Sequence, residues 1–173
     1  MPAIERSCAR PEDQLCRRHS QPGKLRFGAV RADITVRVAA APERVWELLA
    51  DVENWPSWTP SVTSITRLDD GPLRVGSRVR IKQPRLPVTT WTVTELSPGE
   101  SFTWIAVGPG FRTTASHRIH PAEPGSVVTL VLDQNGLIGR LIGRLTTGLI
   151  NRYLTMEGNG LKDRAERPPP QAP

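Results

Sequence analysis

Alternation of apolar and polar residues over residues 61–133 constrains the fold of this chain more than any other feature of its sequence. The alternation has a period of two, which is typical of β-strands with one buried face. It occurs in six segments, which read SVTSITRL, VGSRVRIKQ, VTTWTVTEL, ESFTWIAVG, FRTTASHRIH and SVVTLVLD. Turn sequences separate most of them, among them DDGP, SPGE, GPG and AEPG. Because such short connections join antiparallel neighbours, the pattern predicts an antiparallel sheet.

Helical patterns flank these six strands on both sides. The segment DITVRVAA, from Asp33, predicts a further strand at the start, and APERVWELLADV predicts a helix with Pro42 in its first turn. A second, very short helix is predicted for the WPSW of residues 55–58. After the strands, residues 136–166 predict one long helix, and its apolar face carries Ile138, Ile142, Leu145, Leu149, Tyr153 and Met156. The predicted fold class is therefore α+β.

The two ends of the chain differ from this body in composition. Residues 1–32 have no sustained period, and residues 167–173 read RPPPQAP, so both are predicted to be disordered. The net charge is +6, and residues 1–32 supply +4 of it, with seven Lys or Arg against three Asp or Glu. Since the body keeps only the remaining +2, the charge does not favour nucleic-acid binding. The sequence predicts a basic leader over residues 1–32, one domain over residues 33–166 and a proline-rich tail over residues 167–173.

Cysteine usage and hydropathy exclude several further classes of protein. Both cysteines, Cys8 and Cys16, lie in the leader near His19, and their spacing matches no zinc pattern. We therefore expect no metal site and no disulfide in the domain. The sequence also has no phosphate-binding motif, so no cofactor is expected. No apolar run approaches the ~20 residues of a membrane span, and the leader lacks the apolar core of a secretory signal. A cytoplasmic location is predicted.

Three segments resemble a known family. APERVWELLADVENWPSWTPSV is similar to the opening of the bacterial polyketide cyclase/dehydrase and lipid-transport family, in which a helix precedes a short tryptophan-containing helix. TASHRIHPAEPGSVVTLVLDQNG resembles its last hairpin, and LTMEGNGLKDRAE resembles the end of its C-terminal helix. The resemblance covers roughly residues 33–166. The family that the chain resembles is part of the START/Bet v 1-like (SRPBCC) superfamily. The opening segment is its most specific part, whereas the strands are generic.

This resemblance implies the helix-grip fold, a seven-stranded antiparallel sheet curled around the long C-terminal helix, with two short helices after the first strand. Family members bind apolar small molecules such as lipids, sterols and polyketide-like aromatics in a cavity between sheet and helix. A smaller group catalyses cyclisation or dehydration there. The expected function is thus binding or carriage of a small hydrophobic ligand. A polyketide cyclase/dehydratase enzyme and a protein-interaction module are the alternatives, and no catalytic motif is evident.

The inward faces of a curled sheet would line that cavity. Strand parity directs His117 inward, where it could act as a general base or simply be a satisfied polar group of the core. No acid can be paired with His117 from the sequence. Trp55 and Trp58 are expected to plug the closed end of the cavity or to contact the ligand. The candidate ligand-binding residues are Trp58, Gln83, Trp91, Trp104, Thr113, His117 and Tyr153.

The start of the long helix has an unusual sequence, GLIGRLIGR. Gly139 and Gly143 would begin the helix loosely, because each glycine inside a helix costs about 1 kcal/mol relative to alanine. Arg140 and Arg144 beside leucines allow transient docking on an anionic membrane surface. The expected partner is a small hydrophobic molecule, and the sequence does not predict a protein partner.

Overall fold

Seven strands form in the part of the chain that the computed structural model describes, residues 30–167, with only the backbone described for residues 137–144. They are β1 (Val30–Val38), β2 (Ser64–Arg67), β3 (Arg78–Lys82), β4 (Thr89–Ser97), β5 (Ser101–Gly108), β6 (Phe111–Pro121) and β7 (Ser126–Asn135). Helix α1 (Pro42–Ala50) and a 3-10 helix (Val52–Ser57) follow β1, and helix α2 (Leu137–Glu166) follows β7. Each strand predicted from the alternation is present, and β1 begins at Val30 rather than at Asp33.

The strands form one sheet in the order β1-β7-β6-β5-β4-β3-β2, and every neighbouring pair is antiparallel. Side chains on β5 alternate as predicted, with Phe102, Trp104 and Ala106 buried and their neighbours partly or largely exposed. The register between β4 and β5 shifts between Val93 and Glu95, and such a bulge increases the local twist of a sheet. The concave face encloses α2, which packs on β1, β6 and β7. The predicted helix-grip fold is confirmed.

The far end of α2 is held close to the elements that follow β1. The backbone N–H of Ala39 donates a hydrogen bond of 2.7 Å to Oε1 of Glu166. At Gly160 the helix approaches the end of the 3-10 helix so closely that a Cβ atom would lie 2.1 Å from the carbonyl oxygen of Trp58. These contacts fix the C-terminal half of α2 against one end of the sheet.

The predicted apolar face of α2 is wrong in part. Leu145, predicted to face the sheet, is 79% exposed. Among the side chains described from Leu145 onward, the buried side of the helix instead includes Ile150, Leu154 and Leu161, and Tyr153 is the one predicted residue on it. Glu157 lies on this buried side, and its charge makes the true inner face less apolar in sequence than the neighbouring one. The hydrophobic pattern therefore favoured a face rotated by about one residue.

Several predictions concern residues outside the described part of the chain. These are the leader with Cys8 and Cys16, the last six residues, and the side chains of Ile138, Arg140, Ile142 and Arg144. Among the helices of residues 30–167, none has the length and apolar character needed to cross a membrane.

Candidate functional site

A cavity lies between the concave face of the sheet and α2, and it has two chambers. The outer chamber has a volume of about 220 Å³ and the inner one about 50 Å³. The residues that line both are Gln83, Trp91, Leu132, Leu154 and Glu157. Because the chambers share these walls, they adjoin each other beneath α2.

Aromatic rings close the inner end of the cavity. Trp55, only 1% exposed, lines the inner chamber, and its ring centroid lies 5.3 Å from that of Trp104 and 5.4 Å from that of His117. Its indole Nε1 donates a hydrogen bond of 3.2 Å to the carbonyl oxygen of Leu49, the buried polar partner that such a ring requires. Trp58 packs behind it at 5.5 Å. The short tryptophan helix therefore contributes one wall residue and one supporting residue.

His117 and Glu157 form a buried pair in the inner chamber. Nε2 of His117 lies 2.9 Å from Oε1 of Glu157, and the two residues are 4% and 8% exposed. The imidazole stacks on Phe102 with a centroid distance of 4.3 Å and meets Trp104 edge-on at 5.6 Å. A carboxylate only accepts hydrogen bonds, so it orients the imidazole with the Nε2 proton toward itself. An oriented imidazole of this kind can take up and return a proton.

The outer chamber is mainly apolar with a few polar side chains. The hydroxyl of Tyr153 on α2 donates to the carbonyl oxygen of Pro84, and Nζ of Lys82 donates to the carbonyl oxygen of Leu86 at 2.6 Å. These bonds hold the β3–β4 connection against the helix and the sheet. Polar lining comes from Gln83, Thr89, Thr113, Gln134, Tyr153 and Glu157, and apolar lining from Leu86, Pro87, Trp91, Ala106, Phe111, Leu132, Ile150 and Leu154.

Six of the seven predicted site residues meet at this cavity. Trp104 and His117 line the inner chamber, Thr113 and Tyr153 line the outer one, and Gln83 and Trp91 line both. Trp58 does not line either chamber.

The candidate ligand-binding residues did not include several residues that line the cavity, among them Glu157, Gln134 and Trp55. Glu157 is a charged residue on a long helix, which a pattern argument assigns to solvent. Gln134 lies near the end of β7, beyond the predicted strand segment, and Trp55 could not be distinguished from Trp58. Strand alternation could have assigned Gln134 to the inward face, since it is two residues from Leu132.

The resolved pKa shifts lie away from the cavity. The backbone N–H of Arg78, with its guanidinium, holds the pKa of Asp69 below its ordinary value. The backbone N–H of Ala39, followed by Lys162, likewise lowers the pKa of Glu166. Within residues 30–167, no group of three His, Cys, Asp or Glu side chains is arranged to hold a metal ion.

The sequence matches the model of a family described as polyketide cyclase / dehydrase and lipid transport, over residues 29–166. The chain belongs to this family. The resemblance of the opening helix, the last hairpin and the C-terminal helix is thereby confirmed. No curated protein matches the sequence.

Solved structures share the fold of this polyketide cyclase/dehydrase family protein at low sequence identity. The Zhui aromatase/cyclase from Streptomyces sp. R1128 matches with a TM-score of 0.66 and 20% identity, over 80% of this chain and 94% of its own. A START superfamily protein from Mycobacterium smegmatis matches with a TM-score of 0.65 and 20% identity, over 79% and 97%. The di-domain ARO/CYC StfQ from the steffimycin biosynthetic pathway has a TM-score of 0.65 and 14% identity, and the match covers 80% of this chain but 51% of StfQ.

Proposed function

We propose that this protein binds or carries a small hydrophobic molecule in the cavity beneath α2. The observation that carries the proposal is the outer chamber of about 220 Å³, whose walls are mostly apolar or aromatic with a few polar groups. This composition is typical of small-molecule sites, which span roughly 300–1,000 Å³. Even with the adjoining inner chamber of about 50 Å³, the cavity lies just below this range, so it fits a small ligand.

Apolar burial would supply most of the affinity. Each Å² of apolar surface removed from water stabilises the complex by about 25 cal/mol, and the loss of translational and rotational freedom offsets part of this gain. The family description, which covers both lipid transport and polyketide cyclisation, supports a ligand of lipid or polyketide type. The aromatic walls, with Trp91 and Trp104 5.5 Å apart, favour a flat ring system.

Native mass spectrometry of the protein purified from a bacterial host tests this proposal. We expect one small apolar molecule per chain, or, if the protein is isolated empty, saturable one-to-one binding of 1-anilinonaphthalene-8-sulfonate. The lack of a co-purified molecule would not by itself contradict the proposal. The lack of both a co-purified molecule and saturable probe binding would contradict it. A stoichiometric protein partner bound to a chain that takes up no probe would instead support the protein-interaction module.

A second candidate, a cyclase or dehydratase, is favoured by the buried His117–Glu157 pair. Nδ1 of His117 would remove a proton from a carbon beside a substrate carbonyl, while Glu157 stabilises the imidazolium that forms. The imidazolium would then return that proton to the departing hydroxyl group, which leaves as water. The proton taken from carbon is thus the proton given to oxygen, and no oxidant or cofactor is required.

Glu157→Gln tests whether the pair is catalytic. Glutamine has nearly the same volume as glutamate and keeps a hydrogen-bonding oxygen, so the variant should leave the shape of the cavity unchanged. If the pair is catalytic, dehydration of a β-hydroxy ketone on a polyketide-like ring should fall by about 10²-fold or more, the usual range for a positioned proton-transfer group. Affinity for the same compound should change little. Equal turnover by the variant and the wild type would remove the pair from catalysis.

A cytoplasmic location and a transient contact with anionic membranes are proposals from the sequence alone. The second concerns Arg140 and Arg144 in the first turns of α2. Replacement of both arginines by glutamine should reduce co-sedimentation with anionic vesicles. Undiminished co-sedimentation would contradict the membrane proposal.

A further inference from the structure

Two side chains of the cavity have a buried polar atom with no hydrogen-bond partner among the described residues. These atoms are Nδ1 of His117 and Oε1 of Gln134. His117 lines the inner chamber and is 4% exposed, and Gln134 lines the outer chamber. The two other atoms of this kind belong to Trp58 and Arg67, which line neither chamber. Because buried polar atoms nearly always have partners, two in one cavity point to a bound molecule that pairs with both.

The strand register puts these two polar points at opposite ends of the cavity floor. On β6, His117 and Thr113 are four residues apart on one face, which at about 3.3 Å per residue is a span of about 13 Å. Gln134 on β7 is the register partner of Thr113. Between the two ends the floor is apolar, formed by Ala115 and its register partner Leu132.

We propose that the ligand is an elongated, flat apolar molecule with a hydroxyl group at each end, and that Gln134 selects for the outer hydroxyl. The inference rests on the proposed function and names the ligand class of the same cavity. A hydroxyl both donates and accepts, and Oε1 of Gln134 accepts its hydrogen. At the inner end Glu157 engages Nε2 of His117, so Nδ1 is left to accept from the second hydroxyl.

The side walls fit such a molecule. Trp91 and Trp104 line the cavity from β4 and β5, while Tyr153 and Leu154 line it from α2. Ala115 is the smallest side chain of the floor and leaves room midway between the polar ends. An apolar ligand of the same shape would fill this space but would leave both polar atoms without partners, which the site should penalise.

Three stilbenes of matched shape test the inference in the wild-type protein. trans-4,4′-Dihydroxystilbene has a hydroxyl at each end of a rigid frame, 4-hydroxystilbene has one, and trans-stilbene has none. We expect the dissociation constant to rise by about tenfold for each hydroxyl that is removed. The shorter diol 2,6-dihydroxynaphthalene cannot reach both ends and should bind no better than 4-hydroxystilbene. Tryptophan fluorescence titration and calorimetry measure all four.

Two variants assign the ends. Gln134→Met keeps the length of the side chain but removes its amide, so it should abolish the advantage of the diol over 4-hydroxystilbene. His117→Gln retains a donor for Glu157 and removes Nδ1, so it should also abolish the advantage of the diol over 4-hydroxystilbene. Because 4-hydroxystilbene can turn end for end and place its hydroxyl at Gln134, it should keep its advantage over trans-stilbene in this variant. Asn135→Leu, the neighbour of Gln134 on the opposite face of β7, is the control and should keep the wild-type order.

The outcomes separate this inference from the proposed function. If no stilbene binds the wild-type protein but 1-anilinonaphthalene-8-sulfonate does, the cavity is a ligand site and only the inference fails. If neither the stilbenes nor this probe binds and no molecule co-purifies, the proposed function fails together with the inference. If all three bind with equal affinity, the cavity is a ligand site but the two-hydroxyl ligand is wrong. A wild-type order of diol, then monohydroxystilbene, then stilbene, retained in Gln134→Met, would overturn the role of Gln134.

Discussion

The His117–Glu157 pair is the residue-scale feature with the largest energetic consequences. A buried charge that loses its partner typically costs about 3–5 kcal/mol, whereas replacement of both partners by apolar groups is often neutral. His117→Phe should therefore destabilise the protein by about 3 kcal/mol through the stranded carboxylate, and Glu157→Leu should reverse much of that loss. Urea unfolding of the two single variants and the double variant gives the coupling energy.

The exposed pair of Arg44 and Glu47 is the matched control for this cycle. Their charged atoms lie 3.1 Å apart, but Glu47 is largely exposed to solvent. Water screens such a pair, so its coupling should be below about 1 kcal/mol. Equal coupling energies for the two pairs would show that burial does not strengthen the His117–Glu157 interaction.

The position of an individual site residue could be predicted only where the period of a strand or helix determines which way its side chain points. Alternation on β6 assigned His117 to the inward face, and burial confirms this orientation. Its partner Glu157 lies 40 residues away, and no local pattern joins a strand residue to a helix residue at that distance. Trp55 lies in the six-residue 3-10 helix and Trp58 directly follows it. This segment is too short for a period to show which ring faces the cavity.

At the scale of elements, Gly148 and Gly160 of α2 are expected to affect stability in opposite directions when they are replaced by alanine. A Cβ at Gly160 would lie 2.1 Å from the carbonyl oxygen of Trp58, whereas a Cβ at Gly148 would meet nothing within 4 Å. Gly148→Ala should raise the free energy of unfolding by up to about 1 kcal/mol through helix propensity. Gly160→Ala should lower it by about 1–3 kcal/mol because the backbones must separate. Chemical denaturation measures both, and a stabilising Gly160→Ala would contradict the close approach.

The C-terminal end of α2 gives a pH prediction. The Ala39 N–H and Lys162 lower the pKa of Glu166 below its ordinary value of 4.5 in the folded protein. A carboxylate of lowered pKa stabilises the fold above its unfolded pKa and loses that contribution as the pH falls through the folded one. The stability difference between wild type and Glu166→Gln should thus be present at neutral pH and shrink below about pH 4.5.

Urea unfolding at several pH values measures that difference. Lys162→Met removes the second partner of Glu166 and should make the difference smaller at neutral pH. A difference that stays constant from neutral to acidic pH would contradict the role of the Glu166 carboxylate.

Elements were more predictable than their faces. Strands and turns follow from a period of two and from local turn chemistry, and both act over a few residues. The inner face of α2 depends instead on what the sheet offers the helix. Glu157 contacts His117 on the sheet, whereas Leu145 is exposed to solvent. The hydrophobic period alone therefore predicted the inner face of α2 wrongly in part.

For the whole molecule, the cavity is a compromise between ligand space and stability. Interiors are normally close-packed, so unfilled space beneath α2 lacks the packing contacts that a solid core would have. Two chambers with a combined wall of aromatic rings indicate that the sheet curls around a ligand volume as well as around the helix. A larger side chain that fills this space should therefore stabilise the ligand-free protein and abolish ligand binding.

Ala115→Ile tests that compromise, because Ala115 lies on the cavity floor between His117 and Thr113 and a β-branched residue suits a strand. The added carbons should bury apolar surface at about 0.8 kcal/mol per CH₂ group, less any overpacking. Wild-type protein at a ligand concentration of 100 times Kd should gain about 2.7 kcal/mol, and the variant should gain almost none. Urea unfolding with and without trans-4,4′-dihydroxystilbene measures both effects. A variant that keeps the full ligand-dependent gain would mean that the ligand binds elsewhere on the molecule.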